Sequence, residues 1–226
     1  MNRRLLTLVL PALVAATAGA YTFGGWAVVT LDDLPTQLTV GKPTTFTFVI
    51  RQHGVSLMND VKPMLEAKTG SVIGGTTVNV AATRTSADGQ YTASLTVPKA
   101  GEWRVTVNSG WGNSHIKLYP LQAVEAGKTV AALTAAERGK HVYAVKGCTT
   151  CHVNKEVEGG LQLDVGPDLT GKTYDPAFLA LWLANPKIKP PTKAGNEMPN
   201  LGLSKADIAS LTAFITNGKA TAAIKQ

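Results

Sequence analysis

The hydrophobic pattern of this chain changes its period once, close to residue 126. Before that point apolar and polar residues alternate, as in residues 45–51, where Phe46, Phe48 and Ile50 share one face. Alternation with one apolar face is typical of half-buried antiparallel strands. Beyond residue 126 the segments 133–145 and 204–217 read as helices. The sequence therefore predicts two domains, an all-β domain followed by an all-α domain.

The β segment is predicted to form an immunoglobulin-like sandwich of two sheets. Turn signals at Asp88-Gly89 and at residues 99–101 separate short apolar runs, and short strands at this spacing are typical of sandwiches. The expected strands cover residues 26–31, 36–41, 44–52, 61–67, 74–86 (one strand or two), 90–98, 101–108 and 114–123.

The helical segment carries recognisable helix boundaries. Three N-terminal caps are expected, at Thr134 with Glu137 as a capping box, at Asp175 followed by Pro176, and at Ser204 with Asp207. Pro186 is expected to end the middle helix at Asn185, because a proline disfavours helical backbone in the residue before it.

Residues 1–20 are typical of a secretory signal peptide. Arg3 and Arg4 precede an apolar run at residues 5–16, and small residues follow at positions 18–20. We expect cleavage before Tyr21, which divides the chain into 1–20, 21–125 and 126–226. The alternative is a membrane anchor within residues 5–30, since charged residues are missing from residue 5 to residue 30. Either interpretation places the protein in the periplasm or on the outer face of the cytoplasmic membrane, where nucleic acid is not an expected partner.

The two cysteines of the chain form a C-x-x-C-H motif, Cys148 and Cys151 followed by His152. Two thiols three positions apart on a helical turn can each bind one vinyl group of a haem, and the next histidine then ligates the iron. The alternatives are a disulfide, a thioredoxin-like redox pair and half of a zinc site. A redox pair would need a βαβ setting and zinc would need a second ligand pair, so one covalent haem c is predicted.

A second axial ligand is expected from Met198. Of the four methionines, Met198 alone lies in the helical segment, in a polar loop before the last helix, where a core role has little support. His141 is the alternative ligand, but it lies just before the haem cysteines, and so short a connection makes the opposite face hard to reach.

Residues 134–220 resemble a class I, mitochondrial-type monohaem cytochrome c domain. The C-x-x-C-H motif and Met198-Pro199 match the axial ligands of that family. The resemblance implies that the Pro167 carbonyl orients His152 and that Trp182 contacts the haem propionate side, although Pro167 as a plain turn residue and Trp182 as a core aromatic stay open. Further matches are Gly139 and Tyr143 on the first helix, and Leu211, Phe214 and Ile215 on the last helix.

The β segment is similar to FixH/YtkA-like domains of exported bacterial proteins, over residues 28–35, 46–54 and 91–107. Such domains sometimes accompany copper or haem-copper assembly. Soft or borderline ligands for Cu(I) are His53, Met58, Met64 and His115, although core packing or surface placement explains each of them as well. A role in docking or positioning the cytochrome is the preferred interpretation.

A His/Met-ligated iron is six-coordinate, which predicts an electron carrier rather than an enzyme. The alternatives are an electron-transfer subunit of a membrane oxidase or reductase complex, and a haem sensor or peroxidase with a labile Met198.

The charge of +7 favours a redox partner with an acidic docking face. Residues 126–226 carry 12 basic and 8 acidic side chains, against 8 and 7 in residues 21–125. A basic rim near the haem is expected from Lys146, Lys155, Lys187, Lys189 and Lys193, with a solvated lysine face as the alternative.

Overall fold

A computed structural model describes residues 25–70, 75–163, 165–188 and 197–216. The candidate signal peptide, Lys189 and Lys193 lie outside these residues. The last residues of the candidate anchor, 27–30, belong to a buried strand, Ala27–Leu31. None of the helices in the described ranges is long and apolar enough to cross a membrane.

The described part of the chain contains strands up to residue 124 and helices from residue 135. The strands are β1 (Ala27–Leu31), β2 (Leu38–Thr39), β3 (Thr44–Gln52), β4 (Ser56–Leu57), β5 (Met64–Thr69), β6 (Thr76–Ala81), β7 (Thr83–Arg84), β8 (Gln90–Leu95), β9 (Gly101–Asn108), β10 (His115–Lys117) and β11 (Leu121–Val124). The helices are α1 (Ala135–Val145), α2 (Cys148–Cys151), α3 (Pro176–Ala184) and α4 (Lys205–Ile215), with a 3₁₀ turn at Pro186–Ile188 after α3.

The strands form two sheets around one core. One sheet has the order β1-β3-β8-β7 with β4 beside β3, and the other has the order β2-β11-β9-β5-β6 with β10 beside β9. Strand pairs are antiparallel except β2 with β11. Phe46, Phe48 and Ile50 of the first sheet share a buried core with Trp103 and Val105 of the second. A β-rich domain followed by a helical domain is therefore confirmed, and the immunoglobulin-like connectivity stays a prediction.

Several predicted strands differ in extent from those observed. Residues 74–86 divide at Ala82 into β6 and β7, which belong to different sheets. Residues 114–123 divide at Pro120, because proline has no N–H to donate to a ladder. The short strand β4 was not predicted, since two exposed residues carry no periodic signal.

The predicted helix caps are confirmed. Thr134 and Ser204 each form a complete capping box with the residue three positions on, and the Asp175 side chain accepts from the amide of Phe178. Helices α1 and α4 pack so closely that a Cβ atom on Gly139 would overlap the Ser210 carbonyl. The rings of Tyr143 and Phe214 meet edge to face there, with centroids 5.9 Å apart.

The helical domain covers the outer edge of the first sheet. Strand β1 is an edge strand, yet all five of its residues are buried. Lys146, at the end of α1, donates to the Asp32 carbonyl at 2.6 Å and pairs with Asp207. Lys146 is only 4% exposed, so its predicted place on a basic rim is wrong. The helical domain thus covers an edge strand, and an uncovered edge can associate with another chain.

Candidate functional site

The two cysteines and the histidine after them lie on one turn of helix. Helix α2 follows Gly147, which has a φ of 78° that glycine adopts without steric cost. The amide of His152 donates to the Cys148 carbonyl at 2.9 Å and extends the turn. Cys148 and Cys151 are one turn apart, which places both thiols on the same side of it. This is the spacing that two thioether links to one macrocycle require.

The His152 ring is oriented by the loop at residues 166–167. Its Nδ1 lies 3.0 Å from the Pro167 carbonyl oxygen, which can only accept, so Nδ1 carries the proton. Nε2 then holds the free lone pair that a metal ligand needs. Burial lowers the pKa of His152, against the opposite effect of the Pro167 hydrogen bond, and this favours the neutral imidazole.

Tyr143 supports the same segment in a way that the sequence analysis did not predict. Its side chain is buried, and its hydroxyl donates to the His152 carbonyl at 3.3 Å. Tyr143 thus packs on α4 through its ring and holds the ligand segment through its hydroxyl. The sequence did not predict this bond, because core packing alone explains an aromatic residue nine positions before the histidine.

An apolar cavity lies between these helices. Cys148, His152 and Met198 all line it, with Trp182 on the wall formed by α3. The other lining residues are apolar or aromatic: Tyr143, Leu169, Tyr174, Leu179, Leu183, Leu211 and Ile215. Met198 is partly buried against this cluster. The structure therefore brings together a thiol, an imidazole and a thioether that lie up to 50 positions apart in the sequence.

Both thiols lie in surroundings that disfavour the thiolate. Burial raises the pKa of Cys148 to about 12 and that of Cys151 to about 11. A reactive redox pair instead needs a lowered thiol pKa, because the thiolate is the nucleophile. The environment thus argues against a thioredoxin-like function for the C-x-x-C pair.

The alternative ligand His141 lies elsewhere. Its ring stacks on Tyr119 with centroids 4.3 Å apart, and Lys140 lies 5.6 Å from the Tyr119 ring centroid. His141 is not among the residues that line the cavity. Burial lowers its pKa. These contacts place His141 at the junction with the β domain.

The four candidate copper ligands each have another contact or are exposed. His53 packs on Trp26, Met58 packs on the sandwich core, and Met64 is 45% exposed. The Nδ1 of His115 lies 2.7 Å from the Asn113 carbonyl. Within the described ranges, three or more His, Cys, Asp or Glu side chains nowhere form a group that could hold a metal ion.

Residues 136–219 match the family model described as Cytochrome c. This segment is a cytochrome c domain. The match covers less than half of the chain, and the FixH/YtkA-like resemblance of the β domain stays a prediction. A cytochrome c domain implies a covalently bound haem c at the C-x-x-C-H motif.

The residues present fit this cofactor. The two thiols have the spacing for thioether links, the His152 tautomer leaves Nε2 free, and the cavity wall is apolar. Trp182 lies on that wall, and its role at the propionates stays a prediction.

Other comparisons add no functional assignment. No curated protein matches this chain. Solved structures similar to parts of it include domains 4 and 5 of the S-layer protein SbsC, with 15% identity over 42% of this chain and 50% of that chain at a TM-score of 0.30. The ZirS C-terminal domain shows 14% identity over 43% and 65% at a TM-score of 0.30. MtrC from Shewanella baltica OS185 shows 12% over 62% and 31% at 0.26. The chain thus spans about half the length of the first of these structures.

A Gly166→Ala variant is expected to disturb the His152 ligand. An added Cβ would lie 2.6 Å from both Nδ1 and Cε1 of His152, so the imidazole must leave the Pro167 carbonyl. Crowding of this kind costs roughly 1–3 kcal/mol. We expect a lower yield of haem-loaded protein and a shifted haem absorption spectrum.

Gly171→Ala serves as the control in the same loop, because its Cβ would meet no atom within 4 Å. Its φ of 62° adds backbone strain without touching His152. Equal haem spectra for the two variants would contradict the assigned role of Gly166.

Proposed function

We propose that this protein is an exported electron carrier whose haem c iron is ligated by His152 and Met198. The observation that carries the proposal is that Cys148, His152 and Met198 line one apolar cavity of the cytochrome c domain. The signal-like residues 1–20 support export. Haem c supplies one-electron chemistry at its iron when bound.

The residues of the chain hold the ligand geometry in place. The Pro167 carbonyl fixes the His152 tautomer, and the Tyr143 hydroxyl holds the backbone beside it. Both thioether links would keep the cofactor attached outside the cell. The apolar wall would reduce the access of water to the ligands, so less solvent would rearrange when the charge changes. With both His152 and Met198 as ligands the iron would have no open position, which would favour electron transfer without substrate binding at the metal.

The optical spectrum of the purified holoprotein tests the ligand set. We expect a Met-to-iron charge-transfer band in the oxidised state and no carbon monoxide binding in the reduced state. A missing band together with rapid carbon monoxide binding would exclude Met198 as a ligand and would favour a haem sensor or peroxidase.

A basic rim beside the haem domain is proposed as the docking face for an acidic redox partner. Lys155, Lys172 and Lys187 are exposed. The amides of Lys155 and Lys172 donate to Thr170 and Leu169, and Lys187 follows α3. All three lysines therefore adjoin segments that line the cavity. The proposed partner is a redox protein, which includes the possibility of a membrane respiratory complex.

Replacing these three lysines by glutamate is expected to slow the oxidation of the reduced holoprotein by ferricyanide. A basic rim attracts this anionic oxidant, so the charge reversal should lower the second-order rate about tenfold at low ionic strength and reverse the sign of its salt dependence. Lys42, Lys62 and Lys99 of the sandwich are also exposed, and their replacement gives the same change in net charge. Equal rates for the two triple variants would contradict a local docking face.

A further inference from the structure

The loop that carries Met198 has little regular structure of its own. Within the described residues 197–203 there is no helix or strand. The hydrogen bond formed inside this stretch runs from the Gly202 amide to the Asn200 side chain at 2.9 Å. A loop of this kind opens at low free-energy cost unless other parts of the protein hold it. Since the proposed ligand sits on it, its position needs an external support.

The β3–β4 turn of the sandwich contacts the residue after the proposed ligand. Gly54 is buried in this turn, and a Cβ atom built on it would lie 3.1 Å from Cγ of Pro199. The same position lies 3.5 Å from Cγ2 of Val28 in β1. The Pro199 ring therefore packs directly against the backbone at Gly54. A side chain at position 54 would occupy the space that the ring needs.

The turn itself is held in a fixed shape. His53 and Gly54 are both left-handed, with φ of 51° and 76°. The Gly54 amide donates to the Arg51 carbonyl at 3.2 Å and the His53 amide to the Trp26 carbonyl at 3.1 Å. The His53 ring also packs on Trp26, with centroids 5.2 Å apart. The turn follows β3, which pairs with β1, β4 and β8, so it cannot shift without breaking ladder bonds.

Val28 connects this turn to the other side of the cofactor site. Its side chain is 1% exposed. A Cβ atom built on Gly147, the residue before Cys148, would lie 2.6 Å from Cγ1 of Val28. One methyl group of Val28 thus borders the start of the C-x-x-C-H turn, and the other borders Gly54 beneath Pro199. Leu34, between β1 and β2, packs against both the sandwich core and the apolar residues of the helical domain around the cavity.

We propose that the β sandwich positions the methionine loop, with Val28 and Gly54 as positioning residues that fix Pro199 relative to the C-x-x-C-H turn. This inference rests on the proposed ligation by Met198. It assigns the β domain a role within the redox centre in addition to docking. The sandwich supplies a rigid spacer between the two segments that carry the axial ligands, and preorganisation of this kind strengthens a weak metal bond.

The test compares Val28→Ala with Val105→Ala in the purified full-length holoprotein. Both valines are 1% exposed, Val28 between Gly147 and Gly54 and Val105 in the sandwich core, so both substitutions remove two buried methyl groups. Val28→Ala is expected to weaken Met198 ligation about tenfold, the size typical of a lost buried contact. The reduced variant should bind carbon monoxide faster and the oxidised variant should lose part of the Met-to-iron band. Val105→Ala should lower the urea midpoint about as much as Val28→Ala does. It should leave the carbon monoxide binding rate and the Met-to-iron band unchanged.

Each outcome bears on the proposal separately from the ligand assignment. A wild-type protein without the charge-transfer band would overturn both the Met198 assignment and its positioning. A normal band in the wild type, with carbon monoxide binding equal in the two valine variants, would overturn the positioning role alone. If Val28→Ala fails to assemble, Pro199→Ala removes the contact of the methionine loop with Gly54 and should also raise the carbon monoxide binding rate. An unchanged rate in Pro199→Ala would likewise overturn it.

Discussion

A Met198→Leu variant is expected to lose the Met-to-iron charge-transfer band and to bind carbon monoxide readily once reduced. Leucine preserves the volume of the side chain and the apolar cavity wall but offers no sulfur to the iron. Because a thioether favours the ferrous state, the reduction potential should fall by an amount on the order of 0.1 V, within the roughly 0.8 V range that axial ligands set. Potentiometric titration followed at the haem absorption bands measures this fall.

Met64→Leu is the matched control for this substitution. Met64 lies on β5 of the sandwich and is 45% exposed, away from the residues that line the cavity. Its replacement should leave the band and the potential unchanged. A Met198→Leu protein with a wild-type spectrum would show that another group ligates the iron, and the ligand role of Met198 would then be abandoned.

Much of the helical domain could be predicted because its signals are local. The capping boxes at Thr134 and Ser204 involve residues three positions apart, and the C-x-x-C-H motif spans five residues. The strand faces around Phe46 and Trp103 follow from alternation alone. In each case the chemistry that determines the structure is contained in one short window of sequence.

The contacts between the domains could not be predicted in this way. Lys146 follows a helix and precedes a haem motif, a position typical of an exposed basic residue, yet its ammonium group contacts a carbonyl 114 positions away. In the sequence, Val28 is an ordinary strand residue. Its position between the C-x-x-C-H turn and the β3–β4 turn follows only from the packing of β1 against Gly147 and Gly54. Such contacts depend on how two domains meet, which hydrophobic periodicity does not encode.

Asp207→Asn is expected to cost about 3–5 kcal/mol of the free energy of unfolding, because it leaves a buried ammonium group without its counter-charge. Nζ of Lys146 lies 3.1 Å from Asp207, and the two side chains are 5% and 6% exposed. The guanidinium of Arg138 lies 3.1 Å from the other carboxylate oxygen. The same ammonium group donates to the Asp32 carbonyl, so the loss should loosen the contact of α1 with the sandwich as well as that with α4.

The control for this change is Glu158→Gln, an identical replacement of acid by amide in an exposed pair. Lys117 and Glu158 lie 3.8 Å apart with side chains 47% and 84% exposed. Exposed pairs of this kind contribute at most about 1 kcal/mol. Urea unfolding of both variants at neutral pH measures the difference, and an equal cost for the two substitutions would contradict the buried ion pair.

The pH dependence of the Asp207 contribution follows from the direction of its pKa shift. Burial alone would raise the pKa of Asp207, but the Ser204 hydrogen bond, the Lys146 ammonium group and the Arg138 hydrogen bond together lower it. A lowered pKa in the folded state means that the stabilisation is complete above the ordinary aspartate pKa of about 3.9 and is lost as the pH falls through the lower, folded-state pKa. The stability gap between wild type and Asp207→Asn should therefore be constant near neutral pH and should narrow below about pH 4. A gap that stays constant into that acidic range would mean that the carboxylate charge is not what holds α1, α4 and the sandwich together.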